Sequence, residues 1–170
     1  MDQIKADAGR MDRIHIPFLV PALLFGILGG FTLAVTLPVE AALGRMSLSW
    51  LSHAQVHGHV QIAGFAMLFV IGVALRIAPR FGSGVLALAG LVTPAGVLLI
   101  AGILLRAVGQ PLADRAPFAV LMAAGAAAEW LAAIAFLAIF LVTLWPAVRS
   151  FQPHATLLAI SFVWFALQAT

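Results

Sequence analysis

Apolar residues in this chain come in long unbroken runs, not in the alternating or one-sided patterns of soluble strands and helices. Five runs stand out, roughly 17–37, 53–78, 85–108, 117–145 and 155–170. A helix needs about 20 apolar residues to cross ~30 Å of hydrocarbon, and the first four runs reach that length. The fifth reaches the last residue, so the chain reads as a short bundle or as the N-terminal part of a longer one. Between the runs lie short polar breaks. "PVEAALGRMSLSW" (38–50) reads as a mildly amphipathic piece lying along the interface, and "PRFGSG" (79–84) as a tight turn. "GQPLADRAP" (109–117) and "PAVRSFQP" (146–153) carry proline at their edges, where helices end. The pattern predicts an all-α fold: a polytopic transmembrane bundle of about five spans forming one domain over residues 1–170.

Composition strengthens that reading. Of 170 residues, 64% are hydrophobic and 9% charged, against about 45–50% and 25% in soluble domains. The solvent for much of this surface is therefore the lipid bilayer. The polar segment 1–16 runs into a full-length span without a small-residue cleavage site, unlike a cleavable signal peptide. Basic residues outnumber acidic ones, but the eight arginines and one lysine are scattered singly, which argues orientation in a membrane and not nucleic-acid binding. Lys5, Arg10, Arg13, Arg76, Arg80 and Arg149 fall on one side, Arg45, Arg106 and Arg115 on the other. That imbalance predicts a cytoplasmic N-terminus and, in a bacterium, an inner-membrane location. Cysteine is absent, which excludes disulfides, thiolate metal sites and covalent c-type haem within this chain.

The chemistry concentrates in "SHAQVHGHVQIAGF" (52–65), where His53, His57 and His59 open the second span. Ser52 and Gln55 suggest a capping box that starts the helix near His53. His53 and His57 are i,i+4 neighbours, an arrangement suited to copper or zinc, whereas His59 lies about 200° round the helix from His57. A buried imidazole needs partners at both nitrogens, supplied by neighbouring helices or by a metal and an acceptor behind it. Helix–helix hydrogen bonding therefore stands beside metal binding as the reading of these residues. Glu129, in "AAGAAAEWLAAIAF", is the acidic residue inside a span. Such a carboxylate is functional by default: it takes up a proton, pairs with a histidine or holds a ligand's tautomer. Its alternative is a protonated acid bonded to a carbonyl. Arg76 and Arg80 read as snorkelling anchors. Gly26 and Gly30 read as a close-packing pair, and Met67 and Met122 as ordinary apolar residues. His15 and His154 fall at the opposite end from His59.

The run His59, Gly64-Phe65, Gly72 and Pro79 resembles the second transmembrane segment of the NnrS family, bacterial multi-span membrane proteins in which a histidine precedes a Gly-Phe pair, a glycine and a proline. "HIPFLVPALLFG" before it, Trp50 ahead of the histidines and "LLRAVG" closing the third span also resemble that family, so the similarity covers about residues 15–110. A more distant likeness is to subunit I of haem–copper oxidases. The chain departs from the family in carrying Val60 where an acidic residue follows the histidine, with Gln61 one position later, and in being much shorter. The resemblance implies a non-covalent b-type haem, with copper as a second cofactor, and a role in nitric oxide response or respiratory electron transfer. His59 becomes the first candidate axial ligand, with His57 and His53 as further metal or cofactor ligands. Arg106 and Arg115 are the arginines on the correct side for haem propionates. A diatomic such as nitric oxide is then the expected ligand, and a homo-oligomer or a further membrane subunit the expected protein partner. A proton- or ion-coupled transporter or channel component, using His59 and Glu129 as a relay, is the alternative. A purely structural subunit is a third reading.

Overall fold

The computed structural model describes residues 13–82 and 84–168, with side chains at all of these except 48, 49, 165, 166 and 168. Lys5 and Arg10, used above for orientation, lie outside the described residues, as do residue 83 of the predicted turn and the end of the fifth run. Every regular element among the described residues is helical. Helix α1 is Ile16–Ala42. Helix α2 runs through Leu48–His59, Val60–Met67 and Leu68–Phe81. Helix α3 is Val92–Gly109, extended by single 3₁₀ turns at Ala89–Leu91 and Gln110–Leu112. Helix α4 is Ala116–Arg149 and α5 is Pro153–Gln168. The first four are long and apolar enough to cross a membrane, and α5 is a shorter apolar helix. The chain is a multi-pass helical membrane protein.

Three predicted connections are corrected, among them 146–153, where α4 continues through Pro146 to Arg149. There is no separate interfacial segment at 38–50: α1 continues through Pro38 to Ala42 and α2 begins at Leu48. A Schellman motif stops α1. Gly44, at φ +70°, donates its N–H to the Ala41 carbonyl, and Arg45 donates to that of Glu40. Ser47 then caps α2 by accepting from the Trp50 N–H at 3.3 Å, so the predicted Ser52 cap is superseded five residues upstream. The turn predicted at 79–84 also starts later, since Pro79, Arg80 and Phe81 remain in α2. Gly82 itself lies against the Thr143 carbonyl, where a Cβ would collide with the oxygen.

Each of the first two helices contains a wide π turn, Phe25–Phe31 in α1 and Val60–Met67 in α2. The two segments pack on each other through glycine. A Cβ at Gly26 would press on the Phe65 ring, one at Gly29 on Val60 and one at Gly30 on the Gln61 amide, while Gly64 sits under Phe25. The pairing buries the Gly26/Gly30 motif within the bundle, and it places Gln61 against α1.

Helices α3 and α4 approach most closely. Side chains added at Gly102 or Gly109 would meet α4 backbone within 2.8 Å, and one at Gly125 would meet the Gly102 carbonyl at 2.7 Å. Bundle packing of this kind rests on dispersion between close backbones, because lipid already satisfies apolar side chains. Phe136 and Phe140 of α4 fill the centre with Leu68, Ile71 and Leu75 of α2 and Leu99 and Ile103 of α3. Phe18 of α1 meets Phe136 edge to face, and α5 stacks Phe162 on Phe140 with ring centres 3.8 Å apart. The opposite face of α1, including Ile27, Leu28, Phe31 and Val35, is exposed and suited to lipid.

Candidate functional site

Three helices contribute one ionisable side chain each to a single buried cluster. His59 ends the α-helical part of α2, immediately before the π turn. Its Nε2 lies 3.0 Å from Oε1 of Glu129 on α4. The second carboxylate oxygen, Oε2, lies 3.9 Å from a guanidinium nitrogen of Arg106, in the last turn of α3. Glu129 is 6% exposed, and the side chains of His59 and Arg106 are 14% and 36% exposed. The glycines of α3 and α4 create this cluster. Gly102 leaves room for the Cγ of Glu129, and Gly125 lets the backbone of Arg106 come within contact distance.

The charges in this cluster determine its chemistry. A lone carboxylate in a low-dielectric interior is costly, and so is a lone cation. Here one carboxylate faces one guanidinium and one imidazole, so it is not alone. A neutral His59 facing a carboxylate oxygen donates its Nε2 proton to it. In that tautomer the lone pair is on Nδ1. Metal-bound histidines have this arrangement, one nitrogen held by a carboxylate and the other on the metal.

The polar lining ends abruptly with depth. One turn toward the α2 start, Gln110 Nε2 donates to Gln55 Oε1 at 2.9 Å, bridging α3 and α2 above the cluster. Gly102, level with Glu129, lies roughly 10 Å inside the end of α3 by helical rise. Beyond Glu129 the fully buried side chains include Leu68, Ile71, Leu75, Leu99, Phe136, Ile139, Phe140 and Leu144. The other buried polar side chain among the described residues is Thr143, far along α4. It is already engaged, donating to the Ile139 carbonyl at 2.6 Å and accepting from the Ala87 N–H at 3.1 Å. The site is a polar pit entered from one end of the bundle.

The remaining sequence candidates scatter around this pit. His57 is half-buried and its Nδ1 is buried without a partner among the described residues; His53 is exposed. No group of three His, Cys, Asp or Glu side chains that could hold a metal ion comes together among the described residues. Arg115 caps α4 without a side-chain bond and is exposed on the loop. Gln61 packs on Gly30, away from Glu129. Arg76 and His15 meet at the opposite end, 3.4 Å apart, and Met67 is buried in the core. The Gln55–Gln110 bridge was not singled out from sequence, and neither were the roles of Gly102 and Gly125; the seven-residue spacing of Gly102 and Gly109 is the signal that points to a close helix pair.

No family model matches the chain, and no curated protein or solved structure matches it.

Proposed function

We propose that this multi-pass membrane protein holds a b-type haem through His59, as the resemblance to the NnrS family implies, and serves nitric oxide handling or respiratory electron transfer in a bacterial inner membrane. The observation that carries the reading is the bond between His59 Nε2 and the buried Glu129 carboxylate, the kind of partner that holds a ligating histidine from behind. The donor set fits a haem, which needs an axial imidazole and tolerates apolar surroundings. When bound, haem supplies one-electron chemistry and an iron position for a diatomic ligand. Glu129 fixes the tautomer and orientation of His59. Arg106 gives the carboxylate a second partner. The apolar floor beyond Glu129 favours binding over passage, because the one buried polar side chain farther on among the described residues, Thr143, is already engaged. Protein expressed with ample haem should show a Soret band that His59→Ala abolishes and Glu129→Gln shifts in position or potential. Colourless wild-type protein would overturn the reading.

The same bond favours a second reading. An imidazole that can accept a proton at Nδ1 while giving one from Nε2 to Glu129 is a one-step proton relay. It predicts colourless protein and proton flux in liposomes that His59→Ala removes.

A further inference from the structure

The charges of this chain divide unevenly between the two ends of the bundle. Toward the end that holds the polar pit, Arg45, Arg106 and Arg115 are matched in number by Glu40, Asp114 and Glu129. The formal net charge of +3 at pH 7 therefore belongs to the other end, where the chain leads into α1 and where α2 and α4 finish. Arg13, Arg76, Arg80 and Arg149 stand there, all exposed. None of the four forms an ion pair among the described residues, whose carboxylates all lie toward the opposite end.

Arg76 is the one held in place. It stands five residues before the end of α2, roughly 7.5 Å inside it by helical rise. Its guanidinium lies 3.4 Å from Nε2 of His15, at the start of α1. A guanidinium only donates, so the ring nitrogen accepts, and this contact orients Arg76 without supplying a counter-charge. Arg80 follows at i+4 on the same face, in the last turn of α2. The negative end of the helix dipole accounts for Arg80, but Arg76 stands a turn further in, where that field has faded. Two like charges at this spacing weaken a helix, and an anion shared between them removes the penalty. Toward the bilayer centre the same face continues through Val73 to the exposed ring of Phe69, 6.2 Å from that of Phe65. A pair of cations thus leads into an apolar strip open to lipid.

We propose that this seam binds one anionic phospholipid, its phosphate on Arg76 and Arg80 and an acyl chain along Val73 and Phe69. A phosphodiester accepts from both guanidiniums and brings the negative charge that no described carboxylate brings here. A zwitterionic lipid carries its own cation beside the same phosphate, so it leaves the positive excess in place. Inorganic phosphate suits the arginines but makes no use of the apolar strip. The proposal uses no residue of the pit and stands whether or not the protein carries haem.

The test is native mass spectrometry of the purified full chain, delipidated in detergent and titrated with phosphatidylglycerol or phosphatidylcholine of identical acyl chains. One phosphatidylglycerol should be retained at saturation, and phosphatidylcholine more weakly. Affinity for phosphatidylglycerol should fall about tenfold in Arg76→Gln, which loses a charge-assisted hydrogen bond, and about fivefold in Arg80→Gln. Arg45→Gln, at the opposite end, should leave it unchanged. Arg80 is exposed at a helix end, so its variant carries the test if Arg76→Gln does not fold. Equal retention of the two lipids, wild-type affinity in the arginine variants, or displacement by millimolar inorganic phosphate would each overturn the proposal.

Discussion

At the scale of single residues, the protein places one acid and two bases where hydrocarbon surrounds them and lets them satisfy one another. The His59 bond at 3.0 Å and the looser Arg106 contact at 3.9 Å share a single carboxylate, so removing any member strands another. The asymmetry between losing one partner and losing both gives a direct test. Glu129→Leu should lower stability in detergent by about 1–3 kcal/mol, because it leaves a buried imidazole donor unpaired. The double variant Glu129→Leu with His59→Leu should cost less than the sum of the two single changes in the same thermal unfolding assay. Additive costs would show that the two side chains do not interact. The sequence showed both residues and suggested that Glu129 could pair with a histidine. It did not show which of three histidines, because that depends on the rotation of α2 about its own axis and on how closely α3 lies against α4.

At the scale of helices, two kinds of glycine behave in opposite ways. Gly102 and Gly125 are contact surfaces between α3 and α4, whereas Gly58, between His57 and His59, has open space where its Cβ would be. Gly58→Ala should therefore stabilise α2, by up to about 1 kcal/mol of helix propensity. Gly102→Ala should destabilise by about 1–3 kcal/mol as the helices part to relieve the overlap. Equal melting temperatures for the two variants would contradict this division. The spans themselves were legible from length and hydropathy, since lipid requires every backbone group to be paired within its own segment. Their ends were less so. Pro38 and Pro79 looked like stops and instead sit inside helices, while the actual stop after α1 is the left-handed turn at Gly44. The π turns were not legible, because they arise from glycine-mediated pairing between segments distant in sequence.

At the scale of the whole molecule, helix direction alternates, so the α1–α2 and α3–α4 connections share one end of the bundle with the polar pit, and the α4–α5 turn lies at the other. A chain without cysteine makes this simple to test. In intact cells a membrane-impermeant maleimide should label Gly44→Cys and Asp114→Cys but not Gln152→Cys, if the arginine imbalance orients the N-terminus to the cytoplasm. Labelling of position 152 alone would invert the orientation and move the pit to the inner face. The paired π turns have one more consequence for this architecture. A π turn holds about one residue more than an α turn, and His59 stands at its threshold. Deleting one residue between Val60 and Met67 can be absorbed by rewinding the wide turn as α, which keeps His59 on its face, whereas the same deletion in the regular helix below, between Leu68 and Leu75, would swing everything upstream by roughly 100° and turn His59 off Glu129. The wide turn is thus a reserve of one residue, which the chain can lose there without losing the aim of the imidazole.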